Sequence, residues 1–77
     1  MSYVARIKLG GIKCAGCFNR IDREINSENV IRSEMDHANM IVRITYEDDQ
    51  TIINRITAKI ENAGYSVKII NIENEEA

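Results

Sequence analysis

Between Tyr3 and Leu9 every second residue is apolar. Tyr3, Ala5, Ile7 and Leu9 fall on one face, Arg6 and Lys8 on the other, as in a half-buried strand. Gly10 and Gly11 end it. From Cys17 to Asn26 the spacing changes: Phe18, Ile21 and Ile25 line one face of a helix. The polar run Asn26, Ser27 and Asn29 closes that helix. A weaker strand pattern follows from Val30 to Asp36, then a turn at His37-Ala38-Asn39. Met40, Val42, Ile44 and Tyr46 alternate with Arg43 and Thr45, predicting a third strand. Asp48 or Asp49 is placed to cap a second helix, which carries Ile52, Ile53, Ile56, Ile60 and Ala63 and stops at Gly64. Tyr65 to Ile72 reads as a fourth strand.

The order strand, helix, strand, strand, helix, strand predicts an α+β fold. It is the ferredoxin-like βαββαβ sandwich, a four-stranded antiparallel sheet with two helices on one face. No proline interrupts it. If the first strand runs upward, three features share the upper edge: the end of that strand, the turn at His37 and the loop at Tyr65. The folded domain is expected over residues 1–72, with 73–77 an acidic, disordered tail.

A chain of 77 residues is one domain and needs a compact two-layer core. The net charge of -2 leaves no electrostatic footprint for nucleic acid. No apolar run is long enough for a membrane span or a signal peptide, so a cytoplasmic protein with no direct membrane insertion is expected, provided the chain is whole.

Only two cysteines are present, Cys14 and Cys17. A disulfide between them would close almost no loop and stabilise little, so the pair reads as a site. Cys14 falls in the loop and is expected to be the more exposed. Cys17 opens the first helix and borders the core through Ile21. Unpaired N–H groups and the helix dipole favour thiolate there, and Lys13 adds positive charge. Two thiolates select soft or borderline ions: Cu(I), Zn(II) or Hg(II). Structural zinc usually takes four ligands, whereas this chain offers two cysteines and one histidine, with Lys13 where a carboxylate could have joined. A two-coordinate site suits Cu(I) and leaves room for an incoming thiolate. The bland reading, two cysteines packed at a helix start, is weakened by this strand–GIKCAGC–helix context.

With Gly11-Ile12-Lys13-Cys14-Ala15-Gly16-Cys17 after the first strand and Ala63-Gly64-Tyr65 before the last, the chain resembles the heavy-metal-associated domain family. That family includes copper chaperones and the metal-binding domains of copper-transporting P-type ATPases. The likeness runs from about Tyr3 to Ile70. It implies Cys14 and Cys17 as metal ligands, Tyr65 as the loop residue shielding them, and a copper-transporting P-type ATPase as partner. The sequence departs from the family's GMxCxxC at Ile12, which stands where the family carries a methionine that supports the loop without binding metal. Ile12 fills similar space. Asn29-Val30 replaces a glycine-valine pair before the second strand.

Other residues have two readings. His37 is an exposed turn histidine or, in a metal-bridged homodimer, a ligand. Lys13, Arg20 and Lys59 form a solvated surface or a basic docking face. Met35 and Met40 are read as core, and Gly10 and Gly11 as giving the loop its freedom. A thiol–disulfide oxidoreductase would also use CxxC, but a thioredoxin fold has another helix order and a cis-proline. An RNA-binding module of this fold would display aromatics on its central strands, where this chain has Ile7, Met40, Val42 and Ile44.

Overall fold

The computed structural model describes residues 2–13, 15–47 and 50–74. Its elements are β1 (Ser2–Gly10), α1 (Ala15–Asn26), β2 (Arg32–Asp36), β3 (Ile41–Glu47), α2 (Gln50–Asn62) and β4 (Ser66–Asn74). The strands form one antiparallel sheet in the order β2-β3-β1-β4, so β1, which leads into the cysteine loop, and β3, which follows the turn, are central.

The alternation in β1 and β3 does what period-two patterning requires. Ala5, Ile7 and Leu9 pair across to the face that carries Val42, Ile44 and Tyr46, and all six are buried. Ile21 and Ile25 of α1 and Ile52, Ile53, Ile56 and Ile60 of α2 cover that same face and complete the core. Each isoleucine buried this fully contributes about 1.5–3 kcal/mol before entropy is counted. Phe18, expected on the same helical stripe, is only half-buried.

Several boundaries differ from the pattern. Met40 is not in a strand. It ends the four-residue turn after β2 with φ 54°, and its carbonyl accepts from the Leu9 amide at 2.7 Å. The left-handed turn position stops the alternation one residue early. β2 begins at Arg32, not Val30: the Val30 amide is spent on a tight turn to Glu28 O at 2.9 Å. β4 runs two residues past Ile72, so Glu73 and Asn74 are sheet and not tail. Capping by Asp48 or Asp49 and the tail after Asn74 lie outside the described residues.

Candidate metal centre

The loop between β1 and α1 is shaped more than it is free. Gly10 still belongs to the sheet, opposite Ser66, and a Cβ there would lie 2.2 Å from Ser66 Oγ. Gly11 takes φ 78°, and a Cβ on it would sit 3.7 Å from Gly64 O and 3.8 Å from Tyr65 Cα. Two left-handed glycines, Gly11 and Gly64 (φ 101°), therefore lie where the first loop runs alongside the loop before β4. The freedom expected of Gly10 and Gly11 is instead a requirement for one backbone path and one close approach.

Beyond Gly11, Ile12 is half-buried and packs against the core, and Lys13 is exposed. Cys14 lies outside the described residues, and with it the expectation that it is the more exposed thiol. Cys17 is half-buried in the first turn of α1, one turn before the buried Ile21. That first turn holds no acidic residue, so no carboxylate within it offsets the partial positive charge of the helix start.

Tyr65 is set by how α2 ends. The Gly64 amide donates to Glu61 O at 3.0 Å and the Tyr65 amide to Ile60 O at 3.3 Å. These are the two bonds of a Schellman motif, whose left-handed residue is usually glycine. The motif turns the chain at Gly64 and lays Tyr65, half-buried, against the core beside the cysteine loop.

The hairpin turn reaches the same edge. Asp36 accepts from the Asn39 amide at 3.2 Å and from Asn39 Nδ2 at 2.9 Å, and these bonds hold its carboxyl below the usual carboxylate range. Lys8 Nζ donates to Asn39 O at 2.7 Å. The turn so fixed lays the His37 ring on Phe18, centroids 4.3 Å apart. His37 is thus tied to the residue that follows Cys17. The signal for this pair was an aromatic next to the second cysteine and a lone histidine at the same edge. Met35 packs against the core as expected.

The basic face expected around the site is smaller than three residues. Lys13 and Arg20 are exposed, but the Lys59 ammonium turns away. It donates to Ser27 Oγ at 2.7 Å and pairs with Glu28, at the far end of α1. Arg55 pairs with the same carboxylate at 2.8 Å. Hydrogen bonds from Lys59 and Arg55 hold Glu28 below its ordinary value of 4.5.

Comparison with known proteins places this geometry. The profile of the heavy-metal-associated domain matches residues 6–66. A copper-exporting P-type ATPase of Staphylococcus epidermidis is 29% identical over 63 residues, which is 82% of this chain and 8% of that protein. The chain therefore spans a small fraction of such relatives. In fold, it is similar to the Cu(I)-loaded N-terminal domain of a potential copper-translocating P-type ATPase from Bacillus subtilis, with a TM-score of 0.84 at 22% identity over 97% of this chain and 95% of that one. It is also similar to the N-terminal domain of ZntA in its Zn(II) form, with a TM-score of 0.79 at 18% identity over 94% and 97% of the two chains.

Proposed function

The chain belongs to the heavy-metal-associated domain family, and on that footing we propose that Cys14 and Cys17 together hold one soft cation, Cu(I), for transfer to a copper-transporting P-type ATPase. The observation that carries this reading is the position of Cys17. It stands in the first turn of α1, at the edge where the Gly11 and Gly64 loops meet, three residues after Cys14 and with no carboxylate in that turn. The sequence likeness to copper-exporting ATPases supports the choice of metal.

The chemistry follows from the donors. Thiolates prefer soft ions, and two of them satisfy Cu(I) without further ligands. The pair and the ion carry one net negative charge, which Lys13 partly offsets. Ile12 props the loop from the core side and Tyr65 limits solvent from the neighbouring loop. Transfer is ligand exchange without redox change. A partner thiolate bonds to the ion, a three-coordinate mixed species forms, and one thiolate of the pair then leaves. No catalytic residue is required. No helix among the described residues is long and apolar enough to cross a membrane, and we take the domain to work on the cytoplasmic side.

The fold likeness to ZntA in its Zn(II) form keeps a second reading in view, that of a Zn(II) or Hg(II) domain. One titration separates the two. Reduced protein competes with a chromophoric chelator for Cu(I), Zn(II) and Hg(II), beside the variant Cys14→Ser/Cys17→Ser. One-to-one Cu(I) binding that the double variant loses supports the proposal. Preference for Zn(II) or Hg(II) reassigns the cargo, and indifference to all three ends the reading. Reduction of insulin disulfides by the reduced protein would favour an oxidoreductase.

A further inference from the structure

The two edges of the sheet are built differently. β2 has five residues, and Arg32, Glu34 and Asp36 on it are exposed and charged. Short, charged edges resist pairing with other chains. β4 has nine residues and, among the described residues, a neighbour, β1, on one side only. Ile69, Ile70 and Ile72 on it are 41%, 48% and 37% exposed, an apolar stretch that such an edge would be expected to guard.

The stretch Lys68-Ile69-Ile70-Asn71-Ile72-Glu73 is complementary to itself when reversed. Laid antiparallel on a second copy, with a two-fold axis between Ile70 and Asn71, each Lys68 faces Glu73 of the second copy and each Ile69 faces its Ile72. In an uninterrupted strand this register is forbidden, because residues five apart point to opposite faces. β4 is interrupted. Arg6 pairs with Asn71 and Ile7 with Ile69, which leaves Ile70 as an extra residue. The bulge restores the match. Lys68, opposite Lys8, and Glu73, opposite Val4, share the face away from the helices. Ile69, opposite the buried Ile7, and Ile72, opposite the buried Ala5, share the helix-covered face. Glu73 is further held on its face by Arg6 at 2.8 Å.

We infer that β4 is a self-association edge, on which a second copy of this chain docks antiparallel to form one continuous sheet. Pairing one strand edge covers less surface than the roughly 1,600 Å² of a standard stable interface, so the dimer is reversible and concentration-dependent. Because the strands run oppositely, the Tyr65 ends lie at opposite ends of the dimer. Both candidate metal loops stay open, unlike in a dimer bridged by the metal.

The test uses the full chain carrying Cys14→Ser/Cys17→Ser, so that neither metal nor disulfide can bridge copies and the outcome is independent of the metal reading. Sedimentation velocity from micromolar to millimolar protein should show mass rising toward a dimer. Adding Lys68→Glu, or separately Glu73→Lys, should weaken association by about tenfold or more, since two attractive cross-strand pairs become repulsive. Circular dichroism checks that each variant is folded. Mixing the two variants in equal amounts restores opposite charges at both positions and should restore the dimer. A parent that stays monomeric at millimolar concentration, variants that associate like the parent, or a mixture no better than its components would each overturn the inference.

Discussion

The imidazole of His37 lies against the ring of Phe18, centroids 4.3 Å apart and planes inclined by 36°. This contact joins the β2–β3 turn to the first turn of α1. Together with the Leu9 amide on Met40 O, it ties three chain segments at the edge that carries Cys17. A ring pair of this kind is worth about 0.5–1.5 kcal/mol beyond the area it covers. His37→Ala, Phe18→Ala and the double variant, measured by urea unfolding, should therefore show a coupling of about 0.5–1.5 kcal/mol. Additive losses would mean the rings merely adjoin.

Gly10 and Gly11 should fail for different reasons. Gly11→Ala meets no close atom, but its φ of 78° strains any side chain, so it should cost about 1–2 kcal/mol. Gly10→Ala meets Ser66 Oγ at 2.2 Å, and removing that oxygen with Ser66→Ala should relieve most of its cost. Rescue of Gly11→Ala by Ser66→Ala would contradict this assignment.

Acid should protonate Glu28 later than an ordinary glutamate, and at a cost in stability. Its folded pKa lies below the ordinary 4.5 because Lys59 and Arg55 bond the charged form. The stabilisation is thus fully present above about 4.5 and disappears as pH falls from there through the folded value. Glu28→Gln should flatten the acid limb of stability against pH. An unchanged limb would show that other groups carry it. Lys59→Met should remove part of the same limb and leave metal binding untouched, because its ammonium is at the far end of α1.

Metal binding should be visible as stability. A cation that binds only the folded chain, supplied at a hundredfold its dissociation constant, raises the unfolding free energy by about 2.7 kcal/mol. Thermal or urea unfolding of the reduced protein with Cu(I) should show that gain, and Cys14→Ser/Cys17→Ser should abolish it. An equal gain in the double variant would place the ion elsewhere.

Much of this was legible in residue order. The alternation of Ala5, Ile7 and Leu9 and the stripe of Ile52, Ile53, Ile56 and Ile60 determine which faces meet, and the element order then puts Cys17, His37 and Tyr65 at one edge. What was not legible depends on geometry that side-chain type does not encode. Met40 extends the alternation of β3 in sequence, but the turn needs a left-handed residue and takes it. The bulge at Ile70 leaves no compositional mark, because Ile69, Ile70 and Ile72 suit either register. Lys59 reads as a surface charge near the site until the chain just past the end of α1 brings Ser27 and Glu28 within its reach. Phe18 reads as core because its spacing is right, yet its ring is shared with the turn.

β1 is hydrogen-bonded along both flanks. A strand held on both sides releases its amides only when the sheet as a whole opens, so Ala5 to Leu9 belong to the slowest-exchanging part of the molecule. The loop begins at Gly11, two residues on. Local rearrangement at Gly11, Ile12 and Lys13 can run on a fast clock while global unfolding runs on a far slower one. Two timescales are thus separated at a single peptide junction, and amide exchange across Leu9 to Lys13 would display them as a step.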